Sequence, residues 1–546
     1  MEAFRIVNLK FAYPEVLSTK SGVNVFAGTR LAVDVDNFTV EDGSFVTLCG
    51  PSGCGKTTFL RLLKPSLSPN GKCDGKILFF GSEIKGLEDD VKIGFVHQNP
   101  ESAIVTDKVK TELAFGLESL GTPPDEIRRR IAEMCSFFGI ENLYDRYTSS
   151  LSGGQKQLVA LGAVLCMQPK VLILDEPLSR LDPISAHDFC NALARINREL
   201  GITVIVSEHR PDELLPLSDK AVIMEDGRII YDGVPSLCPG FLKKTGSEMY
   251  GAMPVPSRLV LENSDYPQAG VEAVSVPLSI KGGRRFLSEL PEKERNRISE
   301  KYLAKSSCDT LKEKNNAVSL KEVFFRYERD GDDILSNVSL EIPHGLHTCI
   351  LGSNGAGKPP LLSLIDGNFK PLYGKINIHD KGARIVRLPQ EPVLLFCCDT
   401  VKEDFDIAVK LMGLSGQAAQ VKINEYAELL RFDKSLFEMH PADLSGGEIQ
   451  QAAMCKLMLT DPDIYLLDEP TKGMDCFSKE KFSHIVEMLK RKGKTIITVS
   501  HDTEFCRSFA DVCVMLFRGH VACVQPPKEF FEGNFFYTTA IDRILR

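Results

Sequence analysis

Five short motifs occur twice in the same order, and this repetition constrains the fold more than any other feature of the chain. The first half reads "GPSGCGKTT" (Gly50 to Thr58), "VHQNP" (Val96 to Pro100), "LSGGQ" (Leu151 to Gln155), "VLILDEP" (Val171 to Pro177) and "VSEHR" (Val206 to Arg210). The second half repeats them as "GSNGAGKPP" (Gly352 to Pro360), "LPQEP" (Leu388 to Pro392), "LSGGE" (Leu444 to Glu448), "IYLLDEP" (Ile464 to Pro470) and "VSHD" (Val499 to Asp502). Ser152 and Ser445 lie 293 residues apart, as do Asp175 and Asp468. A pattern written twice in 546 residues predicts two domains, 1–240 and 317–546, joined by residues 241–316. The joining stretch lacks all five motifs and is rich in Pro, Gly, Ser and mixed charge, with "GAMPVP" (Gly251 to Pro256) and "KGGRR" (Lys281 to Arg285) read as interruptions.

Within each half, "FVTLCG" and "LHTCILG" read as short strands running into a glycine loop, and "VLILD" and "IYLLD" as buried strands. The fold class is therefore α/β with a parallel-sheet core in each half. Helix-period stretches follow "LSGGQ" and "LSGGE", which places each Ser-Gly turn at a helix amino terminus.

A loop of the form G-x-x-x-x-G-K-[ST] curls its backbone N–H groups around phosphates at a helix start, where the dipole favours anions. Gly50, Pro51, Ser52, Gly53, Cys54, Gly55, Lys56, Thr57 and Thr58 have this form. Lys56 is the phosphate cation, and the Thr57 hydroxyl is a magnesium ligand. Asp175 ends a strand where it can meet hydrated Mg2+, and Glu176 is the candidate base for an attacking water; Asp468 and Glu469 repeat the pair. Gln98 and Gln390 can ligate magnesium or hold water. His209 and His501 each follow a Val-Ser strand end and reach for a terminal phosphate. Tyr13 and Tyr327 are candidates to stack on adenine.

The second loop keeps Gly352, Ser353, Asn354, Gly355, Ala356, Gly357 and Lys358 but has Pro359 and Pro360 where the first has threonines. Prolines bring neither a hydroxyl for magnesium nor an N–H for phosphate. At about 1 to 3 kcal/mol for each lost charge-assisted bond, nucleotide binding should weaken by several powers of ten. Proline is tolerated in a first helical turn, so the helix itself should survive.

The net charge of −9 gives no general attraction to nucleic acid or to an anionic bilayer. Sixteen cysteines without a C-x-x-C pair indicate neither a zinc site nor a disulfide framework, and are expected as reduced, buried thiols. The start "MEAFRIVNLKFAY" lacks a basic segment followed by an apolar one, so no signal peptide is expected. The longest apolar run, Leu158 to Met167, is about half a membrane span. A cytoplasmic protein is the expectation.

Together, the phosphate loop, glutamine loop, signature, "DEP" motif and switch histidine resemble the nucleotide-binding domains of ABC ATPases. The resemblance implies two tandem P-loop NTPase domains, each with a mostly parallel core, an antiparallel β part and a helical signature subdomain, binding ATP and Mg2+. It also implies head-to-tail pairing, in which Ser445, Gly446, Gly447 and Glu448 complete the first cleft and Ser152, Gly153, Gly154 and Gln155 the second. The segment "QNPESAIVTDKVKTELAFGLESLG" (Gln98 to Gly121) with "FAYPE", "EPLSRLDP" and "EPTKGMD" is similar to energy-coupling factor ATPases of vitamin and metal importers. That likeness implies a transmembrane coupling subunit and a substrate-binding membrane subunit as partners, no nucleic acid, and a peripheral place on the inner face of the membrane. The damaged loop then implies asymmetric hydrolysis. Tandem ABC proteins that act on ribosomes are the alternative, set aside here on the interrupted linker; a nucleotide sensor with little turnover is a third.

Overall fold

The computed structural model describes residues 1–14, 31–84, 86–179, 181–209, 211–263, 275–303, 315–328, 331–430, 432–472, 474, 476–535 and 537–546. It divides into two compact units, Met1–Phe286 and Leu287–Arg546. Glu15, Arg180, Arg210, Gly473 and Asp475 of the quoted motifs, and residues 264–274 and 304–314 of the connecting stretch, lie outside the described residues.

The first unit is built on a six-stranded sheet in the order Arg228–Gly233, Lys220–Glu225, Phe45–Cys49, Thr203–Glu208, Val171–Asp175, Ile93–Val96. Only the outermost pair, Arg228–Gly233 with Lys220–Glu225, is antiparallel. All residues of Phe45–Cys49, Val171–Asp175 and Thr203–Glu208 are buried, as a parallel sheet covered on both faces requires. Register decides where the site forms. Cys49 pairs with Glu208 and Asp175 with Ser207, so three strands end level and release Gly50, Glu176 and His209 at one edge. A second, antiparallel sheet joins Val33–Glu41, Glu2–Ala12, Lys72–Phe79 and Ser82–Glu83. Phe4, Ile6, Val35 and Phe38 from that sheet and Phe59 and Leu60 from the helix after the loop share one core. Burying each such side chain contributes roughly 1.5–3 kcal/mol and fixes the loop between the two sheets.

Three helices, Val109–Ser119, Pro124–Phe138 and Gly153–Cys166, pack through Leu113, Leu117, Ile131, Cys135 and Val159. Ser152 caps the third: its hydroxyl accepts from Gln155 N at 3.3 Å, and Gln155 Oε1 accepts from Ser152 N at 3.0 Å.

The second unit repeats this plan. Its sheet runs Ile385–Leu388, Ile464–Asp468, Thr495–Val499, His347–Leu351, Val512–Phe517, His520–Gln525, with only the last pair antiparallel. Asn316–Phe325, Leu335–Pro343 and Tyr373–Ile378 form its antiparallel sheet. Helices Val401–Leu411, Gly416–Leu430 and Gly446–Leu459 form its helical part, and Ser445 precedes the last as its cap.

Two expectations need correction. The "KGGRR" stretch does not interrupt the connector, because it lies inside a helix, Ile280–Glu289. Both glycines fall in the first turn, where Gly282 N donates to Ser279 Oγ at 3.2 Å and Gly283 N to Ser279 O at 3.0 Å. Glycine is also the residue that fits, since a Cβ on Gly282 would stand 2.5 Å from Pro277 Cβ. "GAMPVP" likewise only separates a short turn, Glu248–Ala252, from the helix Val255–Asn263, and a further charged helix spans Glu292–Leu303. The cysteines are not uniformly buried either, since Cys73 and Cys397 are exposed. Among the described residues, no helix is long and apolar enough to cross a membrane.

Candidate nucleotide sites

In the first unit the loop leaves the sheet at Gly50, where a Cβ would lie 2.3 Å from Met224 O and 2.6 Å from Cys54 Sγ. Gly55, at φ +102°, then turns the backbone into the helix Lys56–Leu62, whose first bond runs from Phe59 N to Gly55 O at 2.8 Å. Only glycine meets both demands. The loop N–H groups thus open toward the helix start, a geometry suited to phosphate.

Lys56 is buried, with Nζ donating to Gly50 O at 2.8 Å and Pro51 O at 3.1 Å and lying 3.8 Å from Glu176 Oε1. Three groups converge on the Glu176 carboxylate. His209 Nε2 lies 2.6 Å from Oε1, Gln98 Nε2 donates to Oε2 at 2.7 Å, and Lys56 completes the set. His209 Nδ1 lies 3.3 Å from Lys56 Nζ and 3.1 Å from Gly50 O, so both ring nitrogens are engaged. Burial alone would push the Glu176 carboxyl up, but the hydrogen bond and charge of His209, with Lys56, hold it below the usual carboxylate range. Glu176 is also backbone-strained at φ +46°, pinned by its N–H to Ser207 O and Oγ, both at 3.1 Å.

Asp175 Oδ1 accepts from Ser207 Oγ at 2.8 Å and Thr57 Oγ1 at 3.2 Å, while burial raises its pKa. A carboxylate and a hydroxyl facing each other beside a phosphate loop are a hard-oxygen set of the kind magnesium takes. The residues of the first unit therefore fit Mg2+, with Thr57 and Asp175 as its holders and Gln98 nearby.

The second unit brings together the corresponding residues with different bonding. Lys358 Nζ donates to Gly352 O at 2.7 Å and Ser353 O at 3.0 Å. Pro359 and Pro360 sit in the first turn of an intact helix, Lys358–Ile365, with Leu361 N bonded to Gly357 O at 3.1 Å. Glu469, at φ +51°, has His501 Nε2 at 3.2 Å, and no bond from Gln390 reaches it among the described residues. Burial, incompletely offset by Lys358 and the His501 N–H, pushes its carboxyl up to about 7.

Tyr13 is 46% exposed beside the loop helix, its hydroxyl 2.9 Å from Thr58 Oγ1, and Tyr327 is 62% exposed at the edge of Phe325 and Phe369. Both rings are thus exposed rather than part of the core.

Sequence reasoning missed three groups: Ser207, which braces Asp175; Glu208, fully buried and accepting from Leu178 N at 2.8 Å; and Arg387, which bonds Asp468. Arg387 had a signal. It is the residue immediately before "LPQEP", where the other half has Phe95 before "VHQNP".

The comparisons with known proteins agree with this geometry. Residues 33–179 and 335–472 match the ABC transporter family. A Bacillus anthracis protein named "Putative ABC transporter ATP-binding protein" is 38% identical over 524 residues, covering 93% of this chain and 91% of its own. A Methanosarcina mazei protein of the same name is 33% identical over 96% of this chain and 89% of its own. Among solved structures, a model of ribosome-bound archaeal Pelota and ABCE1 superposes with a TM-score of 0.61 at 20% identity over 93% of this chain and 79% of that one, a likeness of fold. The chain belongs to the ABC transporter family, as a fused two-domain ABC ATPase.

Proposed function

We propose that this protein is the ATP-hydrolysing motor of an importer of the energy-coupling factor type, working through separate membrane subunits from the inner face of the membrane. The observation that carries the ATPase part is the convergence of Lys56, Gln98 and His209 on the Glu176 carboxylate beside a complete phosphate loop. Held ionised, Glu176 takes a proton from the attacking water, Gln98 and His209 orient it, and Lys56 faces the phosphates. Thr57 and Asp175 would hold Mg2+, which would supply charge neutralisation to the phosphates. Domain limits at 1–240 and 317–546 follow the motif spacing.

The transport part is supported by the names of the relatives, and the importer type by the segment after Gln98. There, Val105 and Phe115 are 67% and 45% exposed on the same segment that carries Gln98, two apolar side chains suited to contact with a coupling subunit's helices. Vitamins, their precursors and transition metals are all admissible cargoes, since the cargo pocket belongs to another chain.

The test is affinity purification from native membranes. Recovery of a polytopic membrane protein, lost in Val105→Asp/Phe115→Asp while ATP turnover persists, supports the reading. Recovery of ribosomes instead contradicts it. That second outcome is retained because the connector contains the charged helices Ile280–Glu289 and Glu292–Leu303, so the absence of a helical linker no longer weighs against a ribosomal role.

A further inference from the structure

The second unit carries a guanidinium at the strand-end aspartate where the first unit has an aromatic ring. Arg387 stands in register with Leu466, as Phe95 stands with Ile173. Phe95 is buried in the core with Phe59 and Leu63. Arg387 reaches the strand end instead. Its Nη2 donates to Asp468 Oδ2 at 2.8 Å and its Nη1 to Ser363 Oγ at 2.6 Å, with Asp366 Oδ2 at 3.4 Å. Three partners fix its position, and a planar donor fork held this way is not readily displaced.

The two aspartates therefore differ in what they have left to offer. Asp175 accepts from two neutral hydroxyls, Thr57 and Ser207, and keeps its negative charge for a metal. Asp468 has neither hydroxyl. Pro359 occupies the place of Thr57, and Val499, which pairs with Asp468 as Ser207 pairs with Asp175, brings no hydroxyl. A divalent cation at Asp468 would lack a hydroxyl ligand and would share its carboxylate with a bound cation, against like-charge repulsion. The residues of the second site do not fit Mg2+.

We propose that the second cleft takes a nucleoside triphosphate without a divalent metal, with Arg387 as the fixed counter-charge at Asp468 and Lys358 as the phosphate cation. This rests on reading Gly352 to Pro360 as a nucleotide loop. The prolines and the arginine are then two parts of one change, because losing the metal's hydroxyl ligand leaves a buried carboxylate that needs another partner.

The test uses the full chain with Lys56→Ala/Thr57→Ala, which removes the first loop's contacts, and titrates a fluorescent ATP analogue with magnesium or with EDTA. The expected dissociation constants agree within about twofold, and Arg387→Phe weakens binding in EDTA by about tenfold or more, while Arg387→Lys retains most of it. Arg387→Lys also serves as the folded control if the Phe variant fails to fold. Restoring threonines by Pro359→Thr/Pro360→Thr should leave binding indifferent to magnesium until Arg387→Phe is added. Tightening by magnesium of about tenfold or more in the starting chain, metal dependence restored by the threonines alone, or no binding under either condition overturns the proposal. ATP turnover by the unmodified chain, measured alongside, tests the first cleft separately.

Discussion

Glu208 shows how the candidate site stores free energy in a single residue. It is fully buried, and burial together with the nearby Glu176 charge pushes its carboxyl up to about 8 from 4.5. The folded state therefore binds this proton more tightly than the unfolded state. Stability from this source is complete below about 4.5 and is lost as pH rises through about 8. Glu208→Gln, which keeps an acceptor for Leu178 N, should raise the melting temperature most at the alkaline end of that window and not at its acid end. Thermal melts across the window check this; an equal gain at both ends would contradict it. Gly50→Ala should have a larger effect of the opposite sign, because its methyl would meet Met224 O at 2.3 Å. We expect a loss of about 2–4 kcal/mol in denaturant melts together with lost nucleotide binding, the range of an overpacked or strained site. Gly50 was legible in the sequence because its role is local, whereas Glu208 was not, because only the fold buries it. A glycine loop, a strand-end acid and a signature serine each carry their geometry with them. Arg387 was not, because its meaning comes from register: only the pairing of Arg387 with Leu466 brings it to Asp468.

At the scale of elements, the signature helices owe their starts to Ser152 and Ser445. Ser152→Ala removes the acceptor for Gln155 N and should cost about 1 kcal/mol in a denaturant melt, whatever it does to turnover. No change in stability would show that the cap is held elsewhere. The helix Lys358–Ile365 makes the complementary point. Its prolines lie among N–H positions that have no helical partner, so the helix forms and the change is chemical, as the first-turn rule led us to expect. The connector shows the limit of composition: Gly282 and Gly283 read as breakers, yet they occupy the first turn of a helix and are braced by Ser279 just before it, a local cap that composition does not carry. Sheet order was legible only in outline. Continuous apolar runs mark buried parallel strands, but only the pairing of Asp175 with Ser207 shows that three strand ends share one edge.

For the whole molecule, fusion of two ATPase units changes the concentration dependence of catalysis. If each cleft is completed by the other unit of the same chain, the partner is supplied at a high effective concentration, and turnover per chain should not fall on dilution. A steep fall would mean that clefts form between chains. The two units share a fold and a motif order, yet their carboxylates differ: Glu176 is held ionised by His209, Lys56 and Gln98, whereas Glu469 is pushed up to about 7 and Asp468 is tied to Arg387. One complete cleft and one metal-poor cleft is the central claim. It is tested most directly by magnesium-dependent ATP turnover of the full chain carrying Glu176→Gln or Glu469→Gln. The account predicts a loss of about 10²-fold or more for Glu176→Gln and a change of no more than about threefold for Glu469→Gln; equal losses in the two variants would contradict it.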